Sequence, residues 1–270
     1  MAGAFVLSTL GFDLCWTRIG LGDFPLVLQL QQHGMTFVER DRLLDEERAR
    51  LRERGLWAAT EPAPNVRAAL RILAAPDLEL DLRIGGGVPT VRALAAARGA
   101  TAVLAVHRHG LDEVELSAVH PDALGAAVLG IIGAPDVIGR GSFAVLAEAL
   151  DELFAETGTS ERSGAEVVLS AGFRRLGCNT EDAAAVGKGL ALPLGVAQIG
   201  MAYGSGPSRH RARRVLALID TAQGRYLLVT KPNPDRVRWT TVLPATERAT
   251  RSAVAELLSE AQPRQESWLS

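Results

Sequence analysis

The sequence predicts an α+β fold made of two related halves, each a group of helices followed by an antiparallel β-meander. Three observations predict it. Val215–Ile219 and Tyr226–Val229 are apolar runs joined by Asp220-Thr-Ala-Gln-Gly224, a turn that Asp220 can start through its side chain and Gly224 can close with a positive φ. Leu78–Ile84 alternates apolar and charged residues without a fault, the pattern of a half-buried strand. After the Gly/Pro-rich stretch Gly133–Gly141 the order of elements starts again. Both runs of the hairpin are nearly all apolar, so it belongs at the centre of a sheet covered on both faces.

The first half opens with a strand at Ala4–Leu7 and a helix capped by Ser8 or Thr9, running to about Ile19. Gly20–Pro25 breaks it, and Leu26–Leu30 is an apolar run of undecided type. Thr36–Arg54 is the clearest helix: Thr36 and Glu39 form a capping box, and Gly55 is the natural C-terminal stop. Val38, Leu43, Leu44 and Leu51 supply its apolar side. Glu61–Pro64 reads as a loop, and Asn65–Ala75 as a helix with Val66, Leu70 and Leu73 inward. Gly85-Gly-Gly-Val-Pro89 is a flexible connection after the alternating strand. Thr90–Arg98 is helix by propensity and strand by position. Ala102–His107 and Val114–Val119 complete a meander, and Pro121 opens the helix Asp122–Ile132.

The second half repeats this plan. Ser142–Leu146 is a strand, and Ala147–Thr157, Ala165–Leu176 and Thr180–Leu190 are helices. Asn179 or Thr180 caps the last of these. Pro193–Tyr203 opens a second meander that holds the hairpin and the strand Val237–Leu243, with a helix beginning at Pro244. The whole chain, 1–270, is expected to be a single domain with pseudo-repeat halves at 1–138 and 139–262 and a disordered tail at 263–270.

Composition narrows the function. A net charge of −2 in 270 residues gives no general reason for a nucleic-acid or anionic-membrane partner. Two cysteines, Cys15 and Cys178, make no disulfide framework and fit a reducing, cytoplasmic setting. No apolar run approaches the roughly 20 residues of a membrane span. Gly85-Gly86-Gly87 lacks the Gly-Lys-Ser/Thr ending or the Gly-x-Gly-x-x-Gly spacing of a phosphate cradle, so a strand-connecting loop outweighs nucleotide binding. His107 and His109 have no Cys, Asp or Glu at zinc spacing, and a polar hairpin end outweighs a metal site. Cys15, beside Trp16, reads as packed. Ser208-Arg-His-Arg-Ala-Arg-Arg214 is basic but lacks interleaved aromatics. It reads as a solvated rim, or one that meets an acidic partner, ahead of a nucleic-acid surface. No acid, base and nucleophile assemble. The expectation is a binding protein without catalysis, metal or cofactor. The alternative is a small-molecule or nucleotide-binding enzyme using Gly85–Pro89 and the His107/His109 end.

Several segments together resemble the EspG family, the cytosolic chaperones of type VII (ESX) secretion systems of mycobacteria and related actinobacteria. They are Phe24-Pro25-x-Val27-Leu28, Leu51-x-x-x-Gly55-Leu56, Leu70-x-x-Leu73-Ala74-x-Pro76, Arg92-Ala-Leu-Ala-Ala-Ala-Arg-Gly99, Ile219-Asp-Thr-x-x-Gly-Arg-Tyr226 and Trp239-x-x-Val-x-Pro244. Their order and spacing across nearly the whole chain carry the resemblance. It implies a pseudo-two-fold fold with a central, mostly antiparallel sheet flanked by two helical bundles. It also implies a partner: the hydrophobic helical tip of PPE in a PE–PPE heterodimer, or a similar helical secretion substrate, kept soluble and delivered for export. Carried onto this chain, the binding surface is the loop Gly85, Gly86, Gly87, Val88 and Pro89, the helices Ala165–Leu176 and Thr180–Leu190, and the strand near Gly195–Tyr203. Val88, Phe173, Leu176, Leu190 and Met201 are the candidate apolar anchors, each weighed against an ordinary core position.

Overall fold

A computed structural model describes residues 3–31, 33–34, 36–158, 162–204 and 206–261. The expected tail at 263–270 lies outside the described residues. The chain divides into two compact units. The first comprises Met1–Arg83, Pro89–Val128 and Tyr203–His210; the second comprises Ile84–Val88, Leu129–Ala202 and Arg211–Ser270.

In chain order the first run of elements is β1 (Phe5–Ser8), α1 (Thr9–Arg18), a 3-10 turn (Leu26–Leu28), α2 (Phe37–Glu53), β2 (Trp57–Ala58), β3 (Glu61–Pro62) and α3 (Pro64–Ala74). It continues with β4 (Leu78–Gly85), β5 (Val91–Arg98), β6 (Thr101–Arg108), β7 (Glu113–Val119), a 3-10 turn (Pro121–Ala123) and α4 (Leu124–Ile132). The strand order is β1-β7-β6-β5-β4, so the opening strand pairs with the last strand of the meander. α1 and α3 pack on this sheet around Phe12, Trp16, Leu70 and Leu73, all nearly solvent-free, with Leu94 and Leu116 from the strands. Phe12 stacks on Trp16 at 5.3 Å, and the Trp16 indole donates to Gly22 O at 2.9 Å.

Local chemistry explains the ends of these helices. Ser8 Oγ accepts from Gly11 N at 2.8 Å and caps α1. Thr36 Oγ1 accepts from Glu39 N at 3.2 Å and caps α2. At the far end of α2, Leu56 N donates to Leu51 O at 2.8 Å and Gly55 N to Arg52 O at 3.0 Å, with Gly55 at φ +69°. This paired closure needs a left-handed residue at that position, which glycine takes without a Cβ clash.

The second run is β8 (Phe143–Leu146), α5 (Ala147–Gly158), α6 (Arg162–Arg175), α7 (Thr180–Leu190), β9 (Pro193–Tyr203), β10 (His210–Arg211), β11 (Val215–Thr221), β12 (Tyr226–Pro232), β13 (Arg238–Pro244) and α8 (Glu247–Ser259). Its strand order, β8-β13-β12-β11-β9, has the same form as the first. β9, β11, β12, β13 and β8 pair antiparallel in that sequence. α5–α7 enclose Phe173, Val186 and Leu190 against Val145, Ile219, Leu228 and Val242 of the sheet. α8 packs over β11 and β12. The α+β class and the antiparallel, helix-flanked sheets match the expectation.

Several local expectations need correction. Glu61–Pro64 is not only loop: Trp57 pairs with Pro62 and Ala58 with Glu61 in a short hairpin. Val38 is 82% exposed and takes no part in the apolar side of α2. Val91–Arg98 is strand, because full pairing with β6 outweighs the helix propensity of its alanines. Leu26–Leu28 is a 3-10 turn, ended by Gln29 in the left-handed region at φ +51°. β4 is not half-solvated. Glu79 is 9% and Asp81 4% exposed; Glu79 is paired by Arg209, and Asp81 lies 3.9 Å from Arg83. Pro244 does not open a helix. It is the last residue of β13, opposite Tyr226, and α8 starts at Glu247 under a Thr246 cap. Nor does Asp220 start the hairpin turn. Its carboxylate takes Arg225 at 2.5 and 2.9 Å, while Thr221 Oγ1 accepts from Gln223 N and donates to Gly224 O.

Candidate functional site

The segment Gly85–Pro89 lies against the start of β9 in the second unit. Gly86 and Gly87 take φ of +78° and +100°. A Cβ on Gly87 would stand 2.8 Å from Leu194 O, and one on Gly86 3.6 Å from Val196 Cγ2. Both the backbone sign and the closeness to β9 require glycine at position 87. Val88 is seated on Gly195, whose own missing Cβ would be 3.2 Å from the Val88 methyls. The triple glycine is therefore explained by a loop pressed onto a strand edge, and it presents Val88 at 39% exposure. Gly86, Gly87 and Pro89 are exposed and Gly85 half-buried.

The other candidate anchors separate into two groups. Leu176, just past the end of α6, is exposed. Phe173, Leu190 and Met201 are 0%, 5% and 0% exposed. Phe173 is held at 4.9 Å from the Phe143 ring inside the helical core, so it is an internal packing residue and not a surface anchor. The apolar face of a helix next to a sheet packs that sheet first, which is why Phe173 and Leu190 are buried. Two surface leucines escaped the sequence reading. Leu192 and Leu194 flank Pro193 and are 52% and 54% exposed. Two outward apolar residues around a proline at a strand start were the available signal.

The helical part of this surface is tightly built. Asn179 Oδ1 accepts from Asp182 N at 2.9 Å and caps α7. α6 and α7 touch through Gly187, where an added Cβ would meet Ser170 N at 2.8 Å and Cα at 2.9 Å. Tyr226 lies under α7, its hydroxyl donating to Ala185 O at 3.3 Å and accepting from Arg140 N at 3.4 Å. Burial pushes that hydroxyl above its ordinary pKa, against the opposing effect of the Arg140 bond.

The remaining chemistry-bearing residues are occupied structurally. Cys15 is buried, and burial with the nearby Glu47 charge pushes its thiol up to about 12. Burial and Asp182 raise Cys178 in the same direction. A thiol held protonated in this way is a poor nucleophile. His107 Nδ1 lies 2.8 Å from Leu28 O. No group of three or more His, Cys, Asp or Glu among the described residues could hold a metal ion. Two arginines of the basic stretch 208–214 are paired internally: Arg209 with Glu79, and Arg214 with Glu256 and Glu260. Among the described residues, no helix is long and apolar enough to cross a membrane.

The model of the EspG family matches residues 8–256. The structure is similar to that of the Mycobacterium tuberculosis type VII secretion system chaperone EspG5 in complex with a PE25–PPE41 dimer, with a TM-score of 0.77 and 21% identity, covering 97% of each chain. No curated protein matches the chain. The match from residue 8 to residue 256 leaves out only the first residues of β1 and the last turn of α8 from the framework, and the chain belongs to the EspG family.

Proposed function

We propose that this chain is a cytosolic chaperone of a type VII (ESX) secretion system that binds the hydrophobic helical tip of PPE in a PE–PPE heterodimer. It keeps that tip soluble and targets the pair for export, without catalysing a reaction. Family membership over residues 8–256 carries the reading. The exposed apolar residues of the second unit support it: Val88 on its glycine-seated loop, Leu176 at the end of α6, and Leu192 and Leu194 at the start of β9. A helical tip with bare apolar side chains aggregates unless it is covered. An interface of on the order of 800 Å² per partner, anchored by a few such residues, is sufficient. Phe173, Leu190 and Met201 contribute by holding the backbone under this surface. In the same reading the duplication divides the single domain at 138/139.

Co-expression with PE–PPE pairs of the source genome tests the function. A soluble ternary complex is the expected result, and failure with every pair would sink the reading. Leu192→Asp and Leu194→Asp should each abolish that complex while leaving thermal unfolding unchanged, since both side chains are more than half exposed. A complex that tolerates both would move the surface elsewhere.

A further inference from the structure

In the second unit, the sheet face that carries α8 keeps an apolar row open. Leu146 lies opposite Trp239, and Trp239 opposite Lys231, so β8, β13 and β12 place the three side by side on one face. Val145, Leu228 and Val242 lie with α5–α7 on the other face. α8 packs over β11 and β12, and the large side chains on the two outer strands stay in contact with solvent. Leu146 is 42% and Trp239 39% exposed.

The first unit fills the matching row with polar residues. Ser8 of β1 lies opposite Glu113 of β7. Arg108 of β6 is next in line, because His107 before it lies opposite Val114 after Glu113. Glu113 and Arg108 are exposed, and Arg108 pairs with Glu115 at 3.2 Å. Charged side chains at a sheet end meet water without penalty. A tryptophan and a leucine side by side in the same two places leave apolar surface that is better covered.

The chain brings a cover to the head of this row. Arg214 pairs with Glu256 and, at 3.1 Å, with Glu260, and so fixes the end of α8. Arg214 directly precedes Val215, which lies opposite Thr230, so Arg214 and Lys231 are the next pair in line. The described residues stop at Ala261, and Gln262-Pro-Arg-Gln-Glu-Ser-Trp-Leu-Ser270 follows. Leu269 comes nine residues after Glu260, a reach of about 30 Å when extended. β8 stands three strands from β11, about 15 Å away. Lys231 is exposed, and among the described residues no carboxylate pairs with it. The segment carries one acid, Glu266, just ahead of its apolar pair Trp268-Leu269.

We propose that residues 262–270 cross from the end of α8 over β12 and β13 and cover this row. Trp268 and Leu269 pack on Trp239 and Leu146, and Glu266 meets Lys231. Pro263, which cannot continue a helix, turns the chain out of α8. This gives 263–270 a docked place in the second unit instead of the disorder expected of it. The surface is separate from the Gly85–Pro89 loop, and the proposal does not depend on the PE–PPE reading.

The test uses the full chain with Cys178→Ser, which removes the half-buried thiol. Leu146→Cys combined with Leu269→Cys should close a disulfide within one chain under mild oxidation. It should close about tenfold or more faster than Val167→Cys combined with Leu269→Cys, because docking raises the local concentration of the first pair only. Val167, 68% exposed on α6, is the control position. In the otherwise unchanged chain, amides of 266–269 should be protected from hydrogen exchange. Lys231→Glu should reduce that protection about two- to fivefold, the worth of an exposed ion pair. Adding Glu266→Lys to Lys231→Glu should restore it, which a merely structural role of Lys231 does not predict. Equal closure rates for the two cysteine pairs overturn the proposal, as does a charge exchange that restores nothing. Disulfides that form only between chains overturn it by placing a second copy on the row. Protection of 266–269 that appears only with a PE–PPE pair bound overturns it by placing the segment on the partner.

Discussion

Asp13 shows how a single side chain ties the helices of the first unit. It is fully buried, and Arg40 grips it with two bonds of 2.7 and 2.8 Å. His33 N and Thr17 Oγ1 supply two more, each at 3.1 Å. Burial alone would raise the carboxyl, but the Arg40 bonds and charge, the His33 amide and Thr17 outweigh it and hold the group below its ordinary pKa. The sign of the pH effect follows. The stabilisation is complete above the ordinary carboxylate value of about 3.9 and is lost as pH falls through the lower folded value. Asp13→Ala leaves the half-buried Arg40 with the His33 carbonyl but no carboxylate, and should cost about 3 kcal/mol in urea unfolding. Asp13→Asn should flatten the acid limb of the stability profile below about pH 4. An unchanged acid limb in that variant would show that other carboxyls govern acid unfolding. None of this was legible in the sequence, because Asp13 and Arg40 are separated by a break, a turn and a helix start.

At the scale of elements, close helix contact in the second unit depends on absent side chains. Gly172 faces Leu153 across α5 and α6, and Gly187 faces the Ser170 backbone across α6 and α7. Backbone cannot yield as a flexible side chain can. Gly187→Ala should therefore destabilise the chain by about 1–3 kcal/mol through overpacking, although alanine is the better helix former. A stabilised variant in thermal unfolding would mean that α6 and α7 separate freely. Helix ends were readable from sequence here because caps are local: Thr36 with Glu39, Asn179 with Asp182, and Gly55 after Arg54 all sit within one turn of their partners. The type of Val91–Arg98 was not readable. Its alanines favour helix, and only the facing strand β6 makes extended backbone the better choice.

At the scale of the whole molecule, neither compact unit is one continuous stretch of chain. Ile84–Val88 belongs to the second unit and Tyr203–His210 to the first. Glu79 on β4 is a concrete case, since its buried carboxylate is met by Arg209 from more than a hundred residues later. Fragments 1–138 and 139–270 expressed separately should therefore be insoluble or only partly folded, each lacking a segment of its unit. Co-expressed, they should recover the circular dichroism of the intact chain. Independent cooperative unfolding of either fragment would contradict this. The candidate partner surface was partly legible at the same scale. The order of motifs along the chain pointed to the loop Gly85–Pro89, whereas Leu192 and Leu194 became visible only once β9 had a direction and an outward side.

Local pattern was enough for most kinds of element, their doubled order, most helix boundaries and the family, but not for the short hairpin at 57–62 or the strand Val91–Arg98. Periodicity, caps and turn residues act over a few positions, and motif order survives without coordinates. Tertiary structure alone decided which apolar residues reach solvent, that the charged side of β4 is buried, and that the Asp220 carboxylate holds Arg225 and not the turn. Burial and ion pairing are properties of what distant segments bring to a residue, and no local pattern carries that information.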